Sequence, residues 1–123
     1  MHYATPEESR AAGVTYHLVP VEEWQAKQQG DEYTPPAFAM DGFIHTTNGL
    51  EELAAVGNRY YKDDPRGYLA LILDVANIVS PVRYDDPDQI FPHIYGPLNP
   101  SAIIGTLVAV RDADGTFRSF TDA

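Results

Sequence analysis

Three histidines, His17, His45 and His93, each stand between apolar or aromatic neighbours, in Tyr16-His17-Leu18, Ile44-His45-Thr46 and Pro92-His93-Ile94. Imidazole titrates near neutral pH and serves as acid, base, hydrogen-bond donor or metal ligand. Three imidazoles carried to strand ends could meet in one cleft and do acid–base work there. The plainer alternative is that each is a satisfied core or rim side chain, with the prolines merely ending strands. Zinc is a second chemistry, since three histidines leave a fourth position open, as catalytic zinc sites do. The separations of 28 and 48 residues lack the short His-x-His or His-x-x-x-His steps that deliver two ligands from one element.

Other residues extend the candidate site. Thr46 and Thr47 end a histidine-bearing strand just before a helix, where hydroxyls and free backbone N–H groups would suit a hydroxyl-rich or anionic ligand. Their simpler role is to finish the strand and assist the cap. Arg59 is one of few bases able to meet a phosphate, or else a solvated surface arginine. Tyr95 and Phe91 offer a stacking wall or plain core. Nucleophilic catalysis finds no motif: there is no Gly-x-Ser-x-Gly elbow and no cysteine. Gly-x-Gly-x-x-Gly and phosphate-loop strings are also absent, which excludes a Rossmann or P-loop nucleotide site. The carboxylate pairs Asp63-Asp64 and Asp85-Asp86 fall in turns and read as solvated charges.

The elements that must position these residues follow from pattern. Residues 1–13 show no sustained periodicity and read as an N-terminal extension, leaving 14–123 as the domain. Residues 14–19 are a β-type run, and Pro20 opens a short helix with Glu22 and Glu23 in its first turn. Residues 43–47 form a second strand. Asn48 and Glu51 suggest a capping box for a second helix carrying Leu50, Leu53, Ala54 and Gly57 at helical spacing. Residues 68–73 read as a buried strand, and 75–84 as one or two short strands broken by Pro81. Five of the ten prolines fall between 81 and 100, so that segment is loop-rich. Residues 103–110 and 116–120 are strands joined by an Asp114-Gly115 turn. The class is α+β, with a split β-sheet and two helices in the N-terminal half.

The 123-residue chain is one domain by size. It carries 18 acids against 8 bases, a net charge of −10. The acids divide nine and nine between residues 1–62 and 63–123, with four bases in each half, so no basic arm is set apart. Such a field disfavours a broad nucleic-acid footprint but leaves room for a local pocket holding one small anion. An anion held there by Arg59 and the histidines should bind less well as pH rises through the histidine range. No apolar run is long enough to span a bilayer, and the start lacks the basic and apolar regions of a signal peptide. The expectation is a soluble, cytoplasmic protein whose partner is a small molecule.

The strings Tyr16-His17-Leu18-Val19-Pro20 with Trp24, Gly42-Phe43-Ile44-His45-Thr46-Thr47, Asn58-Arg59-Tyr60-Tyr61 and Phe91-Pro92-His93-Ile94-Tyr95-Gly96-Pro97-Leu98 resemble the small bacterial family catalogued as domain of unknown function 952. The resemblance spans residues 14–111, and the last string is its most specific motif. Many relatives have Cys-Ser where this chain has Thr46-Thr47, which implies a need for small polar side chains rather than a thiol. The resemblance implies a fold like that of ADP-ribosyltransferases, a split sheet around an NAD cleft. It matches His17 to a first-strand residue near the nicotinamide ribose and His45 to a second-strand cleft residue. A histidine at both places is similar to RNA 2′-phosphotransferases, although the acidic surface offers no evident place for RNA. Where many transferases have a catalytic glutamate, this chain offers His93 and Tyr95. The resemblance thus implies NAD or a related ADP-ribosyl compound as ligand or substrate, with His17, His45 and His93 in catalytic roles and Thr46, Thr47, Arg59 and Tyr95 binding it. A non-catalytic metabolite-binding module and a zinc-dependent hydrolase are the other readings.

Overall fold

A computed structural model describes residues 2–27 and 29–122. Its elements are α1 (Pro6–Ala12), β1 (Val14–Pro20), α2 (Val21–Ala26), α3 (Phe38–Asp41), β2 (Ile44–His45), α4 (Leu50–Tyr60), β3 (Tyr68–Asp74), β4 (Val82–Tyr84), β5 (Pro92–Ile94), β6 (Ile103–Arg111) and β7 (Phe117–Asp122). Short 3₁₀ turns at Val75–Asn77 and Pro100–Ala102 complete it. The strands form two antiparallel sheets, of order β1-β3-β6-β7 and β2-β5-β4.

The larger sheet is covered on both faces, and the alternation of side chains explains how. Val14, Tyr16 and Leu18 of β1 point one way with Tyr68 and Ala70 of β3, packing with Leu53 of α4 and Phe117 of β7. Val19, Leu71 and Leu73 point the other way, against Ile44 and Ile94 of the smaller sheet and Leu98 and Ala102. All seven residues of β1 are buried, as expected of a strand packed on both sides. Each large apolar side chain so enclosed contributes roughly 1.5–3 kcal/mol. Gly57 of α4 lies flat on the Phe117 ring: a Cβ there would stand 2.6 Å from Phe117 Cγ. Asn58 secures the same junction, its Oδ1 accepting from Phe117 N at 2.6 Å and its Nδ2 donating to Phe117 O at 3.1 Å.

Three sequence expectations change. Among the described residues there are four α-helices, not two, all within the first 60 positions. Residues 2–13 are no loose extension, and residue 1 lies outside the described residues. Thr5 and Glu8 form a reciprocal capping box for α1, Pro6 opens it, and Gly13 ends it in a left-handed conformation at φ 70°. The segment is also docked: Tyr3 N donates to the Tyr16 hydroxyl at 3.1 Å. Finally, Asn48 does not cap α4. It is buried, and its Nδ2 donates to the Tyr84 hydroxyl at 2.9 Å and to Gln89 O at 3.1 Å. Gly49 takes the cap position at φ 85°, with Leu50 N and Glu51 N donating to the carbonyls of Tyr3 and Ala4. A Cβ on Gly49 would meet Ala4 O and Thr5 C within 2.8 Å, so glycine is what lets the N-terminal backbone serve as the cap.

Among the described residues no helix is long and apolar enough to cross a membrane.

Candidate functional site

The two sheets meet at one point that shapes the site. Tyr16 and Thr47 exchange backbone hydrogen bonds, N to O at 3.0 and 2.8 Å, as an isolated antiparallel bridge. Continued by two residues, that ladder would pair Leu18 with His45. Instead the His17 imidazole reaches across, and its Nδ1 lies 2.6 Å from His45 O. A carbonyl only accepts, so Nδ1 carries the proton. Nε2 then accepts from the Tyr33 hydroxyl at 3.0 Å. His17 is 6% exposed, and burial pushes its pKa down to about 4, so it is neutral at pH 7. The side chain acts as a strut between diverging strands rather than a free acid or base. Burial raises the Tyr33 phenol above its ordinary range, with the Glu23 carboxylate adding to the rise.

Beyond the strut the strands part around a first cavity of about 210 Å³. Its walls include His17 and Leu18 of β1, His45 and Thr47, Val56 of α4, and Tyr61 and Tyr68. Arg66 stands at this cavity with its charge already engaged: Asp64 at 2.7 Å, Glu23 at 3.0 Å and Glu22 at 3.2 Å. The guanidinium holds the Asp64 carboxyl far below the usual carboxylate range. One cation against three carboxylates leaves this region net negative. The expectation of free helix N–H groups beside Thr47 fails, because the Tyr3 and Ala4 carbonyls occupy those of Leu50 and Glu51.

His45 faces both ways. It also lines a second cavity of about 300 Å³ with Thr46, Thr47, Arg59, Tyr60, Asp85, Asp86, Phe91 and His93. His45 and His93 are direct cross-strand partners on β2 and β5, and their ring centroids lie 5.6 Å apart. Each is tied at one nitrogen. His45 Nε2 is 2.9 Å from Asp41 Oδ2, and His93 Nδ1 is 2.8 Å from Asp85 Oδ2. The Phe43 ring stacks on His93 at 4.0 Å and 17° and leans on His45 at 4.7 Å. Side-chain exposure separates them, 60% for His45 and 17% for His93.

The remaining predicted residues divide. Arg59 lines the second cavity and makes no ion pair among the described residues; it lies 6.0 Å over the Tyr60 ring. Thr46 is buried and its hydroxyl donates to Pro92 O, so it holds β2 against β5. Tyr95 lines neither of these cavities. Its hydroxyl donates to Asp85, whose carboxyl is lowered first by that bond and then by the one to His93. Arg83 sits 5.1 Å over the Tyr95 ring. Sequence reasoning missed Tyr33, Asp41, Phe43 and Asp85. Phe43 and Asp41 lie two and four residues before His45, yet nothing in the string shows which carboxylates would turn inward. Among the described residues no group of three or more acidic or imidazole side chains is placed to hold a metal ion.

Comparison with known proteins adds the following. The crystal structure of protein CC0527 from Caulobacter crescentus is similar over 85% of this chain and 93% of that one, at 20% identity and a TM-score of 0.71, and a double variant of CC0527 gives the same values. Its solution NMR structure matches over 86% and 92%, at 23% identity and a TM-score of 0.68. This likeness carries the fold. No curated protein matches the chain. A family profile described as "Protein of unknown function (DUF952)" matches residues 18–106, and with most of its length so matched, the chain belongs to that family.

Proposed function

We propose that the first cavity binds the carboxamide end of NAD or a related ADP-ribosyl or nucleotide ligand, in a cleft of the ADP-ribosyltransferase type. The observation that carries the reading is the open edge of β1. Val21 N donates to Gly67 O, and Val75 N donates to Gly13 O, so odd-numbered positions of β1 pair with β3. Even-numbered positions turn their N–H and C=O outward, as the Tyr16–Thr47 bridge does. The next outward pair belongs to Leu18, on the cavity wall. A donor and an acceptor from one residue complement a primary carboxamide, which offers one of each. The rings of Tyr61 and Tyr68, stacked at 5.2 Å, supply aromatic surface for a pyridine ring. The net negative surroundings of Arg66 favour the positive charge that an oxidised nicotinamide carries.

In this reading His17 shapes the cavity, and His45, shared by both cavities, meets the ribose. Cleavage of the nicotinamide–ribose bond passes through an oxocarbenium-like state that oriented hydrogen bonds stabilise. Titration calorimetry with NAD, nicotinamide and nicotinate tests the binding. Nicotinamide should bind, and nicotinate should bind roughly tenfold more weakly, since a carboxylate cannot donate to Leu18 O. Absence of NAD and nicotinamide binding at millimolar ligand overturns the proposal.

A second reading, a non-catalytic metabolite-binding module, is favoured by Glu23. The acid on the first cavity is held by Arg66 at 3.0 Å, so no free carboxylate faces the ligand. NAD binding without nicotinamide release, unchanged in His93→Ala, selects the module. Release of nicotinamide that falls in His93→Ala selects the enzyme.

A further inference from the structure

The two nitrogens that the carboxylates leave over have a use of their own. Asp41 and Asp85 only accept, so His45 Nε2 and His93 Nδ1 carry their protons in every state of the rings. No described residue hydrogen-bonds His45 Nδ1 or His93 Nε2. Side by side on paired strands, they gain donor hydrogens only when the rings are protonated. Arg59 lines the same cavity, with no ion pair among the described residues.

We infer that the second cavity is a phosphate site, in which His45 Nδ1–H, His93 Nε2–H and the Arg59 guanidinium hold the phosphate of a sugar phosphate or nucleotide. The chemistry is that of charge-assisted bonds to a multi-oxygen anion, for which the residues lining this cavity offer an arginine fork and two ring donors. The cavity's acids are engaged elsewhere. Asp85 takes the bonds of His93 and Tyr95, and Asp86 accepts from Ile90 N at 2.7 Å and Phe91 N at 3.2 Å. Phe43 fixes both rings from behind, so little rotamer freedom is lost on binding.

The site is pH-gated by its own composition. The charged groups around the pair are Asp41 on α3, Asp85 and Asp86 after β4, Arg83 on β4 and Arg59 on α4; the neutral Tyr60, Tyr84 and Tyr95 complete the set. Three carboxylates against two guanidiniums make the region net negative while both rings are neutral and net positive once both are protonated. Phosphate affinity therefore falls as rising pH strips the two rings of their second protons. The cavities share His45, Thr47 and Val56, so the two sites are tested with separate probes.

The test is NMR of the full chain with ¹⁵N-labelled histidine, at constant ionic strength, with inorganic phosphate and ribose 5-phosphate as probes and ribose as control. Near pH 6 the ring signals of His45 and His93 should shift saturably with either phosphate, while those of His17 and His2 stay in place. Arg59→Gln and a move to about pH 8 should each weaken binding roughly tenfold. Tighter binding of ribose 5-phosphate than of free phosphate marks a sugar phosphate as the occupant, and equal binding marks phosphate itself; both support the site. Shifts at His45 and His93 no larger than those at His2, or unaltered binding in a folded Arg59→Gln protein, overturn it. Nicotinamide in a separate arm probes the first cavity, so failure of one site is distinguishable from failure of the other.

Discussion

The two cavities share His45, Thr47 and Val56 but handle their imidazoles in opposite ways. On the first side, His17 is buried with both nitrogens committed inside the protein, and desolvation keeps it neutral. On the second, His45 and His93 each commit one nitrogen to a carboxylate, and no described residue bonds the other. One histidine braces the junction of the two sheets, and the other two each leave one ring nitrogen without a hydrogen bond among the described residues. The difference teaches that residue type and apolar neighbours do not set the role of a histidine. What sets it is whether the second nitrogen finds a protein partner. The nearby arginines follow the same rule: Arg66 is paired with three carboxylates, while Arg59 makes no ion pair among the described residues.

This contrast can be broken by stability measurements. His17→Ala removes a buried group, leaves His45 O and Tyr33 Oη without their partner, and opens a void. It should cost about 3 kcal/mol. His93→Ala should cost about 1 kcal/mol, mainly its stacking on Phe43. Urea unfolding of both variants decides, and equal losses would erase the distinction drawn between strut and site.

The next effect is a pH dependence. With its pKa lowered to about 4, folded His17 binds fewer protons than the unfolded chain between there and the ordinary histidine value. Its contribution is therefore fully present above about pH 6.5 and is lost as pH falls toward about 4, a change on the order of 3 kcal/mol. Stability lost below that window belongs to lowered carboxyls such as Asp64 and Asp85. His17→Gln should flatten the upper window and leave the lower one; an unchanged profile would falsify the assignment to His17.

Smaller effects sharpen the comparison. Tyr33→Phe takes away the donor to His17 Nε2 and should cost about 1 kcal/mol. It should also bring the His17 titration closer to the ordinary range, because the solvent-shielded lone pair loses its partner; NMR titration reads both. Arg66→Gln acts on a partly exposed network and should cost less than either change at His17 or Tyr33, diminishing with added salt. A salt-independent loss several times larger would show that Arg66 supports the first cavity by packing rather than by charge.

The legible parts of this protein were those written in local pattern. The runs behind β1, β3 and β6 announce strands, the β3 run a buried one, and Asp114-Gly115 announces the turn between β6 and β7, where Gly115 takes φ 94°. The α1 capping box, Thr5-Pro6-Glu7-Glu8, stood in the sequence as a start signal. Seven residues are too few for a helical periodicity to register beside that signal. The Asn48–Glu51 pair had the right spacing for a box at α4, but the backbone of residues 3 and 4 reached that helix end first. Local propensity cannot report a competitor from far along the chain.

Sequence by itself determined the α+β class, the strand runs, the family and the three histidines as the residues to watch. Only the tertiary structure decided that His45 and His93 are paired across two strands while His17 props apart the junction of two sheets. It alone brought Asp41 and Asp85 to their nitrogens and Arg66 among its carboxylates. The physical reason is that a side chain's protonation and hydrogen bonding depend on which distant groups share its desolvated space. That is fixed by register and packing between elements, not by neighbours along the chain.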